Sequence, residues 1–334
     1  MKPTALLTGA LMCGVLLFAG CGGGAEGDVT PGGGGTACPG CEPPTMPAAA
    51  TIGPVTENAP LTVNGIVFSP AGTPALNIAD GDDDGRGAQP GMMVRVQGGL
   101  GAGGVSGTIT SLEINAEARG PIQSLDESVR RFTVLGITVQ ANASTSFEYQ
   151  PNGVDPMPLK AGDSLQVHGY ASGDQILATR IVKRVANDVF KTTGSVSYVN
   201  CPNCTTFGRA FRLGSLYVSV PESTVLRGLV WPIDEGALVR VKTAAAPVNG
   251  YVTATEISDY AGAPLLADAM TKVRGYVSGL NGPQFQLHGI ASTLAAQVIF
   301  TGGSAADFRN GRLVEVQGIY RSGVIQVTAV LFLN

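Results

Sequence analysis

The chain of 334 residues is poor in charged side chains and has only two histidines. Asp, Glu, Lys and Arg make up 14% of it, whereas about 25% is usual in soluble domains. The net charge is −4, so we expect no nucleic-acid partner, because such a partner usually requires a basic face. Outside the N-terminus no amphipathic pattern continues over three helical turns, which argues against a helical fold.

Glycine and proline are abundant instead. The chain has 47 glycines and 21 prolines, which is about a fifth of its length, against roughly 12% in average proteins. Between them lie short runs rich in Val, Ile and Thr, which are typical of strands separated by turns. We therefore expect an all-β protein.

Motifs of nucleophilic enzymes are missing as well. No G-x-S-x-G elbow occurs, and His168 and His288 both lie on strand patterns beside a glycine. A triad histidine needs a carboxylate and an adjacent nucleophile. His168 alternates with the apolar Leu165 and Val167, so we expect its side chain to face outward. We expect both histidines to be surface or half-buried residues, and we expect no cofactor.

Residues 1–20 have the features of an export signal. A short start with one lysine precedes an apolar run of fifteen residues, which is too short to span a bilayer. The run ends in the junction Phe18-Ala19-Gly20-Cys21. This junction resembles that of bacterial lipoproteins, with Phe18 where Leu is usual. The resemblance implies cleavage before Cys21 and acylation of Cys21, palmitate included; an ordinary secretory peptide is the alternative.

Residues 21–58 are rich in glycine and proline and predict a flexible tether. Such a segment cannot bury enough apolar surface to offset its conformational entropy, so it is expected to be disordered. By resemblance to lipoprotein sorting signals, the glycine after Cys21, in place of Asp, favours the outer membrane. We expect a lipid anchor in the cell envelope, with the protein facing the periplasm.

One phrase returns four times in the rest of the chain, and such repeats decide architecture. The clearest copy runs from Leu159 to Gly169 and is followed by the strand-like run Ile176 to Ile181. The other copies are Gly91–Gly98, Ile233–Val241 and Phe308–Gly318. We expect four units with the bounds 59–117, 118–188, 189–262 and 271–334. Each unit is expected to open with a glycine in a strand: Gly65, Gly120, Gly194 and Gly275.

The phrase also predicts a buried strand in each unit. Leu165 and Val167 alternate with polar residues, and equivalent pairs are expected to be buried in the third and fourth units: Val239 and Val241, Val314 and Val316. Five or six short strands close best as a small barrel, because closure removes exposed edges. We expect tandem OB-like β-barrels, with a β-sandwich as the alternative. Because the linkers are short, we expect the units to stack as a rod.

The pattern L-x-x-G-D-x-[LV]-x-V-x-G, followed by I-x-A-x-x-I, resembles the bacterial domain-of-unknown-function family numbered 5666. That family occurs, often in tandem, in exported proteins and lipoproteins. The second unit matches best, whereas the fourth has Arg312 in place of Asp163, and the third has Lys242-Thr243 where the others end in Gly. The shared positions are turns and core residues, so the resemblance implies no catalytic residue.

Two CxxC pairs are candidates for a disulfide or a metal site. They are Cys38 with Cys41, in the tether, and Cys201 with Cys204, in the third unit. Four thiolates suit zinc, but an oxidising compartment favours a local disulfide in each pair. We expect a disulfide between Cys201 and Cys204, with zinc or redox activity as alternatives.

Two further patterns could bind a ligand. Asp80, Asp82 and Asp84 fit the first half of a calcium loop, but Gly91 stands where a bidentate Glu belongs, so we expect a solvated acidic turn and no metal. The second pattern is aromatic, and its members could form a stacking platform or pack in the core: Tyr149, Tyr217, Trp231 and Tyr320.

Together these features favour a non-enzymatic binding or scaffold role in the cell envelope. Repeated modules on a lipid anchor suit avid binding of an envelope protein or polymer, whose identity the residues do not give. The competing hypothesis is an envelope hydrolase that depends on carboxylates or a metal. Its candidate residues would be Asp80, Asp82, Asp84 and Asp163.

Overall fold

Strands make up most of the described chain. The computed structural model describes residues 46–83, 85–149, 158–186, 189–199, 201 and 208–333. Within these ranges there are strands, turns and three single-turn 3-10 segments, Ala79–Gly81, Glu127–Val129 and Ala305–Asp307, but no α-helix. The all-β prediction is confirmed. No helix in this part of the chain is long and apolar enough to cross a membrane.

The first group of strands closes into a ring. Its members are β1 (Ala48–Asn58), β2 (Leu61–Val63), β3 (Ile66–Ile78), β4 (Met93–Leu100) and β5 (Ser106–Ile114). Strand β1 pairs with β2 and β4, β2 pairs with β3, and β5 pairs with β4, all antiparallel. The ring closes because β3 lies parallel to β5.

The same pairing order recurs in three later groups of strands. The second ring contains β6 (Ala118–Asp126), β7 (Arg131–Val134), β8 (Ile137–Gln140), β9 (Ser146–Tyr149), β10 (Ser164–Ser172) and β11 (Gln175–Arg184). Strand β6 pairs with β7 and β10, β7 with β8, and β10 with β11. Strands β8 and β9 both lie parallel to β11 and close the ring.

The third ring repeats this arrangement. It contains β12 (Phe190–Ser197), β13 (Ala210–Leu213), β14 (Leu216–Ser219), β15 (Val225–Arg227), β16 (Leu238–Thr243) and β17 (Tyr251–Asp259). Strand β12 pairs with β13 and β16, and the parallel pairs of β14 and β15 with β17 close it.

The fourth ring returns to five strands. They are β18 (Met270–Asn281), β19 (Gln284–Leu287), β20 (Ile290–Thr301), β21 (Leu313–Arg321) and β22 (Val324–Phe332). Strand β18 pairs with β19 and β21, and β20 lies parallel to β22.

The first ring begins earlier than the composition predicts. Residues 48–58 form β1, so the predicted end of the tether at residue 58 and the start of the first unit at 59 are wrong. Ala50 and Ile52 are buried in the core of the fourth ring, and Val55 is buried in that of the first. This short segment looks like a linker because it is rich in Ala, Gly and Pro, but it is covered on both sides.

A glycine in the first strand of each ring faces a core residue of the strand that carries the repeated phrase. The pairs are Gly53 with Val94, Gly120 with Leu165, Gly194 with Val239, and Gly275 with Val314. Gly65, which was predicted to play this part in the first unit, lies instead in the turn between β2 and β3, with φ of 73°. The prediction was therefore wrong for the first ring and right in position for the other three.

The glycine that ends the repeated phrase marks a β-bulge. The register shifts at Gly98 in β4, at Gly169 in β10 and at Gly318 in β21. A Cβ at these positions would lie 1.8 to 2.2 Å from a carbonyl oxygen of the next strand, so a side chain there requires the backbone to shift. The third ring has the bulge at Thr243 without the glycine.

The four rings do not stack as a rod. Strand β1 of the first ring lies parallel to β18 of the fourth, and β6 of the second lies antiparallel to β12 of the third. The second ring also contacts the fourth, where Tyr170 meets Tyr276 edge to face with ring centroids 6.5 Å apart. The rod prediction is wrong because the first strands pair across the chain, so that rings distant in sequence touch.

The apolar interior agrees with the predicted core. All six residues predicted from the repeated phrase are buried: Leu165, Val167, Val239, Val241, Val314 and Val316. The second and third rings share one apolar cluster, whereas the first and fourth each have their own. Charged and polar side chains fill the region where the rings meet.

Candidate functional site

The acidic turn after β3 inserts into the junction of the first three rings. It meets a set of polar side chains that we call the Asp82 cluster: Asp80, Asp82, Asn115, Arg119, Gln166, His168, Lys191 and Lys242. Asp80 adopts a left-handed conformation with φ of 53°, which directs the turn away from a regular helix. The expectation of a solvated acidic turn is wrong, because Asp82 is fully buried and Asp83 nearly so.

Asp82 and Lys191 form the centre of this cluster. Both side chains are fully buried, and Lys191 Nζ donates to Asp82 Oδ2. The backbone N–H of Ala116 donates to the same carboxylate at 2.6 Å, and Arg119 Nη1 lies 3.6 Å from Asp82 Oδ1. Burial lowers the pKa of Lys191, and the two nearby aspartates oppose this effect. The pair places opposite charges together at a position that solvent does not reach.

Asp80 joins two lysines of the third ring. Its carboxylate lies 3.1 Å from Lys191 Nζ and 3.1 Å from Lys242 Nζ. Burial alone would raise the pKa of Asp80, but the two lysines outweigh burial and hold the pKa below its usual value. Its main-chain oxygen accepts from Arg119 Nη1 of the second ring at 2.7 Å. One residue of the first ring therefore binds two other rings.

His168 is buried in this cluster, contrary to the outward position predicted for it. Gln166 Oε1 accepts from Arg184 at 2.8 Å, so the Gln166 amide nitrogen is the group that faces His168 Nε2 at 3.1 Å. His168 Nε2 therefore accepts, and the ring proton lies on Nδ1. Burial lowers the pKa of His168 to about 4. The alternation rule failed because other rings cover the second face of β10, whose inner seven residues are all buried.

A second group, the Glu117 cluster, lies between the first, third and fourth rings. Its members are Glu117, Arg240, Tyr260 and His288. The Tyr260 hydroxyl donates to Glu117 Oε1 at 3.0 Å and lies 3.2 Å from His288 Nδ1, and Arg240 Nη2 lies 3.5 Å from Glu117 Oε2. Burial raises the pKa of Glu117, opposed mainly by Arg240. Burial also lowers the pKa of His288 to about 3, helped by Arg95 and Arg240.

Little space remains beside these groups. A cavity of about 20 Å³ is lined by members of the Glu117 cluster together with Arg95, Glu113 and Asn115, which is room for about one water molecule. Outside it, a cleft of about 630 Å³ between the first and third rings reaches Arg240 and Lys242. The cleft also carries Arg227, which pairs with Glu256 at 2.7 Å.

The arrangement joins the rings through charged and hydrogen-bonded side chains. Within the described ranges, the acids at the centre are paired with lysine, arginine or tyrosine. The cavity beside Glu117 admits no organic molecule. The same ranges contain no group of three potential metal ligands. We interpret both clusters as ionic locks between the rings.

Sequence reasoning missed most members of these locks. Lys191, Arg119 and Glu117 lie at or beside the first strands of the second and third rings, and Tyr260 follows the last strand of the third. A signal was present, because Lys191 and Arg119 interrupt strands that otherwise read as buried. Their partners could not be found locally, since Asp82 and Lys191 are 109 residues apart in sequence.

The remaining predicted site residues are dispersed. Asp163 pairs with Lys183 at 2.9 Å. Cys201 is disulfide-bonded, but Cys204 lies outside the described residues, so their pairing stays a prediction. The other predicted positions that lie outside the described ranges are Cys21, Cys38, Cys41 and Asp84.

The four aromatic residues proposed as a platform do not lie together. Tyr149 belongs to the second ring, with Lys183 Nζ 5.5 Å from its ring centroid, and Tyr320 is buried in the fourth. Trp231 and Tyr217 belong to the third, where Trp231 faces Arg209. Tyr217 instead stacks on Tyr251, with 4.8 Å between the ring centroids and 17° between the ring planes. Tyr251 was not among the aromatic residues predicted from the sequence.

Two segments match a known family model. Residues 119–182 and residues 274–330 match the family described as Domain of unknown function (DUF5666). They correspond to nearly all of the second ring and most of the fourth. No curated protein matches the chain. Two segments of the chain, one in its second strand ring and one in its fourth, are therefore similar to the DUF5666 family, with the third ring between them.

Proposed function

We propose that this chain is a non-enzymatic binding or scaffold lipoprotein of the cell envelope, built from four OB-like barrels. The OB-like assignment is supported by the pairing order that all four rings share. In each, the first strand pairs with the second and with the next-to-last, and the third lies parallel to the last; the second and third rings add one short strand, β9 and β15. An OB fold is a five-stranded Greek-key barrel of this size.

One observation carries the binding role. The titratable groups at the centre are paired with one another beside a cavity of about 20 Å³, whereas the depressions of about 600 Å³ lie on the third and fourth rings and in the open cleft between the first and third rings. A ligand or partner would therefore meet the outside of the rings, and the centre would keep those outer faces in fixed positions.

The locked arrangement suits a scaffold. Because β1 pairs with β18 and β6 with β12, the first ring is held against the fourth and the second against the third. Several faces on one anchored particle raise the effective concentration for a second contact with the same polymer or protein. The proposed partners are an envelope protein or polymer and, through Cys21, the outer membrane.

The hydrolase hypothesis has less support. Asp80, Asp82 and Asp163 each pair with a lysine, so a free carboxylate pair for acid–base catalysis is not formed by them. Turnover of an envelope substrate that Asp163→Asn abolishes, with folding intact, would reverse this preference.

The experiment that tests the binding role is cross-linking in intact cells followed by capture of the full chain. We expect a saturable envelope partner that is enriched over the same capture from cells lacking the protein. Absence of any partner above that background would contradict the proposal.

The anchor is tested separately by mass spectrometry of protein from the membrane fraction. We expect the mature chain to begin at Cys21 with acyl groups attached, and Cys21→Ser to release the protein from the membrane. An unmodified Cys21, or a mature N-terminus elsewhere, would refute the anchor and leave the binding role open to its own test.

A further inference from the structure

A shallow groove of about 620 Å³ lies on the outer surface of the third ring. It is formed by β14, by the turn between β16 and β17, and by the start of β17. Its eight lining residues are Ser219, Ala244, Ala245, Ala246, Val248, Tyr251, Val252 and Thr253. None of the eight carries a charge, and most of the exposed lining is apolar.

A row of stacked side chains runs across the strands beside the groove. Arg212, Tyr217 and Tyr251 are lateral neighbours on β13, β14 and β17. The Arg212 guanidinium lies 5.2 Å from the ring centroid of Tyr217, and Tyr217 stacks on Tyr251. The row fixes the Tyr251 ring, which is still 41% exposed, as one wall of the groove.

Hydroxyl groups lie on the same face of these strands. Ser219 and Thr253 are paired across β14 and β17, two residues beyond Tyr217 and Tyr251 respectively. Because side chains two residues apart share a face of a strand, both hydroxyls point to the groove side. The groove thus offers an aromatic wall, a lining of alanines and two neutral hydrogen-bonding groups.

The aromatic wall is particular to the third ring. Tyr251 is the first residue of the last strand, and the residues at that place in the other rings are Ser106, Gln175 and Val324. Tyr217 is the second residue of the third strand position in its ring, and the residues at that place in the other rings are Val67, Thr138 and Ala291. The scaffold therefore does not require an aromatic side chain there. A ligand that stacks on Tyr251 would explain why the third ring has an aromatic wall.

The chemistry of the lining defines the class of ligand. The lining itself offers no cation to a phosphate or an anionic polymer, since Arg212, beside the groove, stacks on Tyr217 and donates to the Gly214 carbonyl at 2.8 Å. A purely aliphatic chain would leave the two hydroxyls without partners. A sugar ring has an apolar C–H face for Tyr251 and hydroxyls for Ser219 and Thr253, and it carries no charge.

We propose that the third ring binds an uncharged oligosaccharide in this groove, with one sugar ring against Tyr251. The proposal rests on the proposed binding function and names its ligand class. The volume lies in the range of small-molecule sites, which is enough for a short stretch of a glycan. OB folds bind oligosaccharides at the loop between their last two strands, which in the third ring is the turn between β16 and β17.

Calorimetry on the full chain tests the proposal with three neutral probes: cellohexaose, maltohexaose and the hexamer of N-acetylglucosamine. We expect saturable binding of at least one probe. Tyr251→Ala should weaken it about tenfold or more, since it removes an aromatic wall, whereas Tyr251→Phe should retain it. The matched control is Tyr149→Ala, a tyrosine in the second ring away from the groove, which should bind as the wild type does. Unfolding midpoints show that each variant is folded.

Three results would overturn the inference: no binding of any probe, binding that survives Tyr251→Ala, or binding of palmitate in the groove in place of a saccharide. Repeating the cellular cross-linking with Tyr251→Ala separates this inference from the wider proposal. If no probe binds but the envelope partner is still captured, the saccharide site is refuted and the binding role stands. If no partner is captured even with the wild type, the binding role itself falls.

Discussion

Replacing Lys191 with methionine tests whether the Asp82 cluster locks the rings together. Lys191 is fully buried in β12 of the third ring, and its ammonium group donates to Asp82 and lies 3.1 Å from both Asp80 and Asn115. Methionine has nearly the same length and is flexible, so it fills the space without a large cavity. The substitution therefore removes mainly the charge.

The expected loss of stability in Lys191→Met follows from the partners that Asp82 retains. After the change, the fully buried carboxylate of Asp82 retains the Ala116 N–H at 2.6 Å and Arg119 at 3.6 Å. Removing one partner of a buried ion pair costs about 3–5 kcal/mol, because the other charge stays buried and poorly compensated. We expect Lys191→Met to lower the free energy of unfolding by that amount, and Asp82→Asn to be less harmful on the Lys191→Met background than alone.

The measurement is urea denaturation of the full chain, followed by circular dichroism and by the fluorescence of Trp231 in the third ring. The matched control is Lys183→Met, which removes a lysine whose pair with Asp163 is partly exposed. Exposed pairs contribute up to about 1 kcal/mol, so this control should change little. If the two methionine variants lose the same stability within about 1 kcal/mol, the idea of a central lock is wrong.

Three further predictions concern single features of the rings. Burial lowers the pKa of His168 from 6.5 to about 4, so the unfolded chain binds this proton more tightly than the folded chain does. The free energy of unfolding should therefore fall by about 3 kcal/mol as the pH drops from 6.5 to 4. Urea titrations at the two pH values should find a smaller loss in His168→Gln. Gly169→Ala should lower the stability by about 1–3 kcal/mol, since its Cβ would lie 2.2 Å from a carbonyl oxygen. Gly275→Ala should lower it less, because the nearest atom to its Cβ lies at 3.4 Å. Equal losses of stability in thermal melts would refute the bulge argument. Thiol counting on denatured envelope protein should find no free thiol from Cys201 and Cys204, and stoichiometric zinc would contradict the disulfide.

The sequence was sufficient for the features that depend on neighbouring residues. Alternation along the repeated phrase predicted the strand around Leu165 and Val167 and its buried face, because side chains of a strand alternate whatever its surroundings. The glycine that ends the phrase could be recognised because it recurs in the repeats. The reason for that glycine is the β-bulge at Gly169, which is visible only once the partner strand β11 is placed. Strand content and core were thus predictable, whereas the use of each glycine was not.

The features that depend on distant residues could not be predicted. The rule that one face of a strand is buried and the other solvated failed for His168, because residues of the first and third rings cover the outer face of β10. The pattern at Asp80 and Asp82 reads as a solvated or calcium-binding turn until Lys191 and Lys242 are placed beside it. Those lysines are 109 to 162 residues away from their partners, and no local pattern indicates that the third ring meets the first.

The residue before the β-bulge makes different contacts in the four rings, although the backbone of the bulge is the same. A bulge redirects the side chain at its site, and the residue before the shift is polar in every ring: Gln97, His168, Lys242 and Gln317. Gln97 accepts from the backbone N–H of Leu266 at 2.8 Å, while His168 and Lys242 belong to the Asp82 cluster. Gln317 is exposed. The same backbone feature therefore ties three rings to their neighbours and leaves the fourth free to present that side chain outward, so the repeats diverged in side-chain chemistry while the ring was kept.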